Sequence, residues 1–182
     1  MDVPNQQAQV VILSAARLPS GKFLGSLSGL SATQLGALAI KAAVERAGLS
    51  DLASIEEVYL GNVVSAGLGQ APARQASIHA GIPVSVGATT INKVCGSGLK
   101  GVMLAANAIR AGEGDLFVSG GMESMSRAPF LVNGRTGDLR YGHAQLTDAL
   151  LHDGLWDSFV NTGMGNLAEF IASQFGVTRQ AM

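Results

Sequence analysis

The chain has 182 residues, of which 47% are hydrophobic and only 14% are charged, with 24 glycines and a net charge of −1. This balance supplies ample material for a hydrophobic core and excludes a disordered or collagen-like chain. Because the net charge is near zero and no long run of either sign occurs, the composition also argues against nucleic acid as a partner.

Cysteine usage and the apolar runs indicate where the protein works. The single cysteine cannot form an internal disulfide, which is typical of a reducing compartment. The start of the chain, MDVPNQQAQ, lacks the basic region and apolar run of a secretory signal. No apolar run reaches the roughly 18 residues that a membrane span needs. We therefore expect a soluble cytoplasmic protein that has no membrane partner.

Short apolar runs alternate with longer amphipathic ones over the first two thirds of the chain. We predict four strands, at Val10–Leu13, Val58–Leu60, Ala88–Asn92 and Leu116–Val118. Because helical patterns separate these strands, we expect βαβ units. The sequence therefore predicts an α/β fold in which a mainly parallel sheet is covered by helices.

Three helices are predicted between these strands. Ser31 and Gln34 form a capping box that begins the first helix, and Gly48 is placed to end it. Pro72 suits the first turn of a second, shorter helix. A third helix follows Cys95, with large apolar residues at helical spacing.

Beyond the fourth strand the pattern changes. Residues 122–148 contain several glycines and few apolar repeats, which predicts loops. A weakly helical stretch follows, and Leu167–Phe175 then predicts a last amphipathic helix that ends at a glycine. We place a domain boundary here, with an αβ core over residues 1–121 and a loop-rich segment over residues 122–182.

The stretch VCGSGLKG, Val94–Gly101, contains the only cysteine and allows more than one interpretation. Gly96, Gly98 and Gly101 satisfy the G-x-G-x-x-G pattern of a dinucleotide-binding turn. That turn follows the first strand of its unit, and an acidic residue ends the next strand about 20 positions later. Here the glycines follow the third predicted strand, and the nearest acidic residues precede the fourth. The spacing therefore argues against a dinucleotide site.

A nucleophile is the second interpretation of this stretch. Cys95 lies where a strand gives way to a helix, so its thiol would face unpaired N–H groups and the positive end of the helix dipole. Both favour a thiolate over a thiol. Gly96 and Gly98 would let a substrate carbonyl approach, and the Cys95 N–H could bind an oxyanion. A cysteine buried as a small hydrophobic residue is the alternative that the sequence leaves open.

A nucleophile also needs a base, and the histidines of the chain are His79, His143 and His152. None of them stands in a recognisable base motif, and no pair of carboxylates is spaced for acid–base catalysis. The sequence contains no Cys/His cluster of the kind that binds zinc, so we expect no metal site. The residues alone therefore leave the role of Cys95 undecided.

Four motifs resemble, in order and spacing, those of a known enzyme family. They are RLPSGKFLGSL at Arg17–Leu27, GNVVSAGLGQAPARQASIHAGIP at Gly61–Pro83, INKVCGSGLKG at Ile91–Gly101 and GGMESMSRAP at Gly120–Pro129. These motifs are similar to the amino-terminal half of thiolases, above all of the acetyl-CoA acetyltransferases, the acetoacetyl-CoA thiolases. The resemblance extends over essentially the whole chain. It implies a thiolase-like fold of which this chain forms the first αβ half.

The resemblance implies that Cys95 is the catalytic nucleophile and becomes acylated. In the family's reaction the thiolate attacks acetyl-CoA and coenzyme A leaves. A second acetyl-CoA, deprotonated at its α-carbon, then attacks the acyl-enzyme to give acetoacetyl-CoA, or the reaction runs in reverse. We expect no resident cofactor, since the coenzyme A thioester is the substrate, and assembly as homodimers or homotetramers. The glycine at position 96 resembles the residue that short-chain biosynthetic enzymes have after the cysteine. The long-chain degradative enzymes tend to have serine there.

The later part of the chain resembles the family's loop domain, which covers coenzyme A and carries the tetramer contact. Leu155 matches a leucine that packs on coenzyme A, and Met164 matches the motif H-M-G-x-x-A-E-N. The resemblance therefore implies that both bind substrate, with simple core packing as the alternative. Gly163 and Phe170 replace the histidine and the asparagine of that motif, so any contact made by that histidine is lost here.

The family also has a second, homologous αβ half that supplies the activating histidine, an Asn-bound water and a second cysteine. No motif of that half occurs in this sequence, and the last strand of the first half is not found either. We therefore expect a truncated chain that is inactive or nearly so by itself. Two alternatives stay open: a non-catalytic coenzyme A-binding module, and a ketoacyl-synthase-like condensing enzyme of the same fold. GGMESMS, Lys93 and Lys100 favour a thiolase over a synthase.

Overall fold

A computed structural model describes residues 9–135 and 139–182. The start of the chain, where we expect no secretory signal, and the middle of the predicted loop fall outside these residues. In the described ranges, none of the helices has the length and hydrophobicity to span a bilayer. The chain divides into a first unit that ends at Ala128 and a second that begins at Pro129. The boundary after residue 121 stays a prediction.

Three parallel strands form the sheet of the first unit. They are β1 (Glu57–Gly61), β2 (Gly87–Ile91) and β3 (Phe117–Gly121). Strand β1 lies in the centre, so the order is β2-β1-β3, and the last residues of all three strands lie opposite one another. The loops that follow the strands therefore leave the sheet from a single edge.

Helix α1 (Ala32–Arg46) begins and ends as predicted. The Ser31 hydroxyl accepts a hydrogen bond from the Gln34 N–H, and the Gln34 side chain accepts one from the Ser31 N–H. At the other end Gly48 is left-handed, with φ +68°, and its N–H donates to the Glu45 carbonyl. These caps satisfy backbone groups that the helix itself leaves without partners.

Helices cover both faces of the sheet, as predicted. Val58 and Leu60 of β1 lie in a buried apolar cluster with side chains of α1 and of α2 (Pro72–His79). On the opposite face lies α3 (Ser97–Ala111), which packs against β1 and β3. The first unit therefore has three layers, with the sheet in the middle.

Helix α3 presents its small residues to the sheet and its large apolar residues to solvent. Its buried residues are Ser97, Gly101, Ala105 and Ala108. Leu99, Val102 and Met103 are 68%, 38% and 50% exposed. The reason is distance: a Cβ added to Gly101 would lie 2.6 Å from the hydroxyl of Ser119 on β3. Only small side chains fit where a helix approaches a sheet this closely.

The prediction of a strand at Val10–Leu13 is wrong. In the described part of the chain these residues pair with no strand, and the side chains of Val11, Ile12 and Leu13 are 61–78% exposed. The next residue, Ser14, donates its hydroxyl hydrogen bond to the carbonyl of Ala43 on α1. A continuous apolar run forms a strand only where neighbours pair with its backbone, and among the described residues the sheet has three strands instead of four.

The second unit contains short elements and one long helix. Two antiparallel strand pairs, β4 with β5 and β6 with β7, consist of two residues per strand. The elements are β4 (Phe130–Leu131), β5 (Thr147–Asp148), a single π-helical turn (Leu150–Leu155), β6 (Trp156–Asp157), β7 (Thr162–Gly163) and α4 (Met164–Phe175). Helix α4 ends at Gly176 as predicted. Of the residues described in this unit only Ala149 is buried.

Candidate active site

Cys95 lies in the turn that connects β2 to α3. It stands one position before Gly96, the residue that caps the amino terminus of α3, and it is exposed. The structure therefore confirms the predicted strand-to-helix junction. The alternative of a cysteine buried as a small hydrophobic residue is wrong.

Side chains on either side of Cys95 hold the backbone of this turn. Asn92 accepts a hydrogen bond from the Val94 N–H at 3.0 Å. The Ser97 hydroxyl accepts one from the Lys93 N–H at 2.8 Å and donates one to the Val94 carbonyl at 2.6 Å. Val94 itself is left-handed, with φ +47°, a conformation that β-branched residues rarely adopt. The turn is thus fixed at the residue that precedes the cysteine.

Glycines bring the start of α3 directly onto the ends of the strands. A Cβ added to Gly61, the last residue of β1, would lie 2.5 Å from the Ser97 Cβ. A Cβ added to Gly121, the last residue of β3, would lie 3.5 Å from the Gly98 Cα. Gly61, Gly121 and Gly98 therefore serve the contact of helix and sheet at this junction.

A cleft of about 730 Å³ opens beside Cys95 in the first unit. Leu99 and Val102 of α3 form one wall, and two loops, residues 16–23 and residues 122–126, form the others. Hydrogen bonds join the two loop regions: the Leu24 N–H donates to the Ser126 hydroxyl, and the Ser124 hydroxyl donates to the Leu30 carbonyl, both at 2.8 Å. Three of the four motifs therefore meet at this cleft.

Glu123 connects the remaining motif, Gly61–Pro83, to the same cleft. Its carboxylate lines the cleft and accepts hydrogen bonds from the Asn62 side-chain amide at 2.8 Å and from the Val63 and Val64 N–H groups at 2.8 and 3.3 Å. Burial raises the pKa of the Glu123 carboxyl, and the three hydrogen bonds offset this rise only in part. The carboxylate thereby fixes the loop after β1 against the loop after β3.

Sequence reasoning did not identify Glu123 and Asn62, although a signal was present. Each follows the end of a parallel strand, Asn62 directly after β1 and Glu123 two residues after β3. Because these two strands are neighbours and end in register, polar residues placed there must meet. The order of the strands, which single-sequence reasoning did not provide, was needed to see this.

The other predicted site residues lie elsewhere. The cleft residues that the first unit supplies include no histidine, since His79 is the last residue of α2. Leu155 ends the π-helical turn and Met164 begins α4, and both are half-buried. Their contact with substrate stays a prediction. Within residues 9–135 and 139–182, no three His, Cys, Asp or Glu side chains group as metal ligands would.

The half-buried carboxyl of Glu123 should make folding stability depend on pH. Its pKa lies above the ordinary value of 4.5 in the folded chain, so the folded state holds this proton to higher pH than the unfolded state. This stabilisation is complete below the unfolded pKa and is lost as pH rises through the folded pKa. Relative to Glu123→Gln, the wild type should therefore lose free energy of unfolding as the pH rises from 4.5 through the folded pKa of Glu123.

Urea unfolding of both proteins at several pH values measures this difference. The matched control is Glu113→Gln, because Glu113 is an exposed carboxylate of the same unit. The two differences from the wild type are then compared at the same pH values. A constant difference for Glu123→Gln would contradict the assignment of a raised pKa.

Comparisons with known proteins agree with this arrangement of motifs. The family model described as the thiolase amino-terminal domain matches residues 10–182. The chain is 56% identical over 172 residues to acetyl-CoA acetyltransferase 2 of Arabidopsis thaliana. The alignment covers 94% of this chain and 42% of that protein. It is 54% identical over 172 residues to an acetyl-CoA acetyltransferase of Cupriavidus necator. This alignment covers 94% of this chain and 44% of that protein.

The fold also matches a solved structure. The crystal structure of Acat5 thiolase from Ascaris suum in complex with coenzyme A superimposes with a TM-score of 0.85 at 46% identity, over 93% of this chain and 44% of that one. The chain thus spans less than half the length of the relatives that it matches. The predicted fold class, α/β with the first half of a thiolase-like fold, is confirmed. The chain belongs to the thiolase family, and it corresponds to the amino-terminal part of its members.

Proposed function

We propose that this chain is the acyl-accepting part of a thiolase of the acetyl-CoA acetyltransferase type, with Cys95 as the nucleophile. One observation carries the proposal: the exposed Cys95 stands at the start of α3, beside the cleft that three of the four family motifs line. The names of the similar proteins support a thiolase over a ketoacyl synthase, since both relatives are acetyl-CoA acetyltransferases.

The proposed chemistry is transfer of an acyl group through a thioester on Cys95. The thiol gives its proton to a base, and the sulfur attacks the carbonyl carbon of acetyl-CoA. Collapse of the tetrahedral adduct breaks the bond to the coenzyme sulfur and releases coenzyme A. A second acetyl-CoA, deprotonated at its α-carbon, then attacks the acetyl group on Cys95. The new carbon–carbon bond forms, and the bond between the acetyl group and the Cys95 sulfur breaks.

Acetyl-CoA and acetoacetyl-CoA are the proposed substrates, with no resident cofactor or metal ion. The cleft residues of the first unit include no histidine that could take the thiol proton. We therefore propose that Cys95 of this chain accepts an acyl group slowly, and that condensation requires groups that this chain does not supply. A non-catalytic coenzyme A-binding module, the second candidate, would bind the same thioester without acylation.

Acetylation of Cys95 tests the proposal directly. Incubation of the chain with acetyl-CoA should add one acetyl group, visible by mass spectrometry of the intact protein and located on Cys95 after digestion. Cys95→Ala should add none. Neutral hydroxylamine should remove the group, since it cleaves a thioester but leaves an acetylated lysine intact.

The outcome separates the two candidates. An adduct on another residue, or one that resists hydroxylamine, would contradict the nucleophile. Binding of coenzyme A without any acetylation would instead favour the binding module.

Leu155 and Met164 are proposed to contact the coenzyme A part of the substrate. Both are half-buried in the second unit, and the similarity to a thiolase solved with coenzyme A supports the proposal. Leu155→Ala or Met164→Ala should raise the acetyl-CoA concentration for half-maximal acetylation about tenfold, because an apolar contact of this size contributes about 1–2 kcal/mol. Leu146→Ala, a change at an exposed leucine of the same unit, should leave it unchanged. Lower stability in urea unfolding, with this concentration unchanged, would argue for core packing.

We also propose assembly as a homodimer or homotetramer in the cytoplasm. The exposed apolar side chains of α3, above all Leu99 and Met103, support association, and the single cysteine supports a reducing compartment. Sedimentation velocity should show association that increases with concentration and that Met103→Glu weakens. A monomer at all concentrations would contradict the assembly, and recovery of the protein from an organelle fraction of its source cells would contradict the location.

A further inference from the structure

Ser97, the first residue of α3, forms its side-chain hydrogen bonds within the turn that carries Cys95. We propose that Ser97 is a positioning residue for acyl transfer: its hydroxyl holds Val94 in the left-handed conformation and thereby sets the direction of the Cys95 thiol. This inference rests on the proposed function, since it takes Cys95 as the nucleophile.

The Ser97 hydroxyl uses both its hydrogen-bonding roles on this turn. As an acceptor it binds the Lys93 N–H at 2.8 Å, and as a donor it binds the Val94 carbonyl at 2.6 Å. A hydroxyl has a single proton to donate, so the side chain is committed to these two partners. It therefore bridges the backbone across Val94, and it is 4% exposed, shielded from competing water.

Val94 is the residue that needs such support. Its φ of +47° brings a β-branched side chain into a region that mainly glycine and asparagine occupy, and this costs free energy. Such a conformation persists only where the surroundings determine it. Asn92 holds the Val94 N–H at 3.0 Å, and Ser97 holds the Val94 carbonyl. Side chains thus hold the peptide groups on both sides of the strained residue, and the Ser97 N–H donates a further hydrogen bond to the Val94 carbonyl at 3.1 Å.

The orientation of Cys95 follows from that conformation. Cys95 is the next residue after Val94. A change in the dihedral angles of Val94 would therefore turn the Cα–Cβ bond of Cys95 away from the start of α3. Misplacement of a reacting group by about 1 Å can lower a rate by as much as about a hundredfold. Holding Val94 in place therefore matters for the chemistry of the thiol more than for the stability of the core.

Burial alone does not explain these hydrogen bonds. Two other serine hydroxyls are buried, that of Ser77 and that of the half-buried Ser119, and neither has a hydrogen-bond partner among the described residues. Ser119 lies beneath the same helix, since its hydroxyl is 2.6 Å from where a Cβ of Gly101 would stand. Ser119→Ala is therefore a matched control: it removes a buried hydroxyl from the same helix–sheet contact without touching the turn.

The test compares the rate of Cys95 acetylation by acetyl-CoA in variants of the chain. Ser97→Ala should lower this rate about tenfold or more, while Ser119→Ala should stay within about twofold of the wild type. The double variant Val94→Gly/Ser97→Ala should recover at least about threefold relative to Ser97→Ala, because glycine adopts positive φ without steric cost. Val94→Ala/Ser97→Ala should not recover, because alanine keeps that cost.

Urea unfolding of each variant shows whether these rates merely follow stability. A wild-type rate in Ser97→Ala, an equal loss in Ser119→Ala, or equal rescue by alanine and glycine would each overturn the positioning role. If the wild type itself gains no acetyl group on Cys95, the proposed function fails instead. The same variants are then compared by alkylation of Cys95 with iodoacetamide. The same order of rates would support the positioning role, and equal rates would overturn it.

Discussion

The close contact between the start of α3 and the ends of β1 and β3 is the constraint on which the site depends. Gly61 leaves so little space that an added Cβ would lie 2.5 Å from Ser97. The first turn of the helix is therefore seated on the sheet, and the position of the turn that carries Cys95 is fixed relative to the strands. A side chain at this contact would lift the helix and move the thiol with it.

The register of the three strands explains why residues far apart in sequence form one cleft. Since β1, β2 and β3 end in register, the loops after them start from one edge, as in other parallel sheets where ligands bind at the carboxyl ends of the strands. Glu123 then joins two of these loops through three hydrogen bonds. The ends of the strands thus bring together the Cys95 thiol, the Glu123 carboxylate and the two hydrogen-bonded loops.

Local signals in the sequence predicted much of this fold. Caps and turns depend on neighbours in the chain, so Ser31 with Gln34, Gly48 and Pro72 were assigned correctly. The junction at Cys95 was also predicted correctly, because a helix that begins just after a strand is a local feature of the sequence.

What failed depends on partners distant in sequence. The apolar run at Val10–Leu13 satisfies the pattern of a buried strand but has no neighbouring strand. Helical periodicity marked the large apolar residues of α3, yet the sheet selected its small ones. Glu123 and Asn62 were missed because only the order of the strands brings them together.

The near absence of buried side chains in the second unit has a consequence for its motion. A segment that buries only Ala149 among its described residues has little core to lose on opening. Its opening free energy is then set by a few hydrogen bonds, whereas opening of the first unit would expose a whole apolar cluster. Amide protons of the second unit should therefore exchange with solvent through frequent local openings, while those of β1 wait for global unfolding.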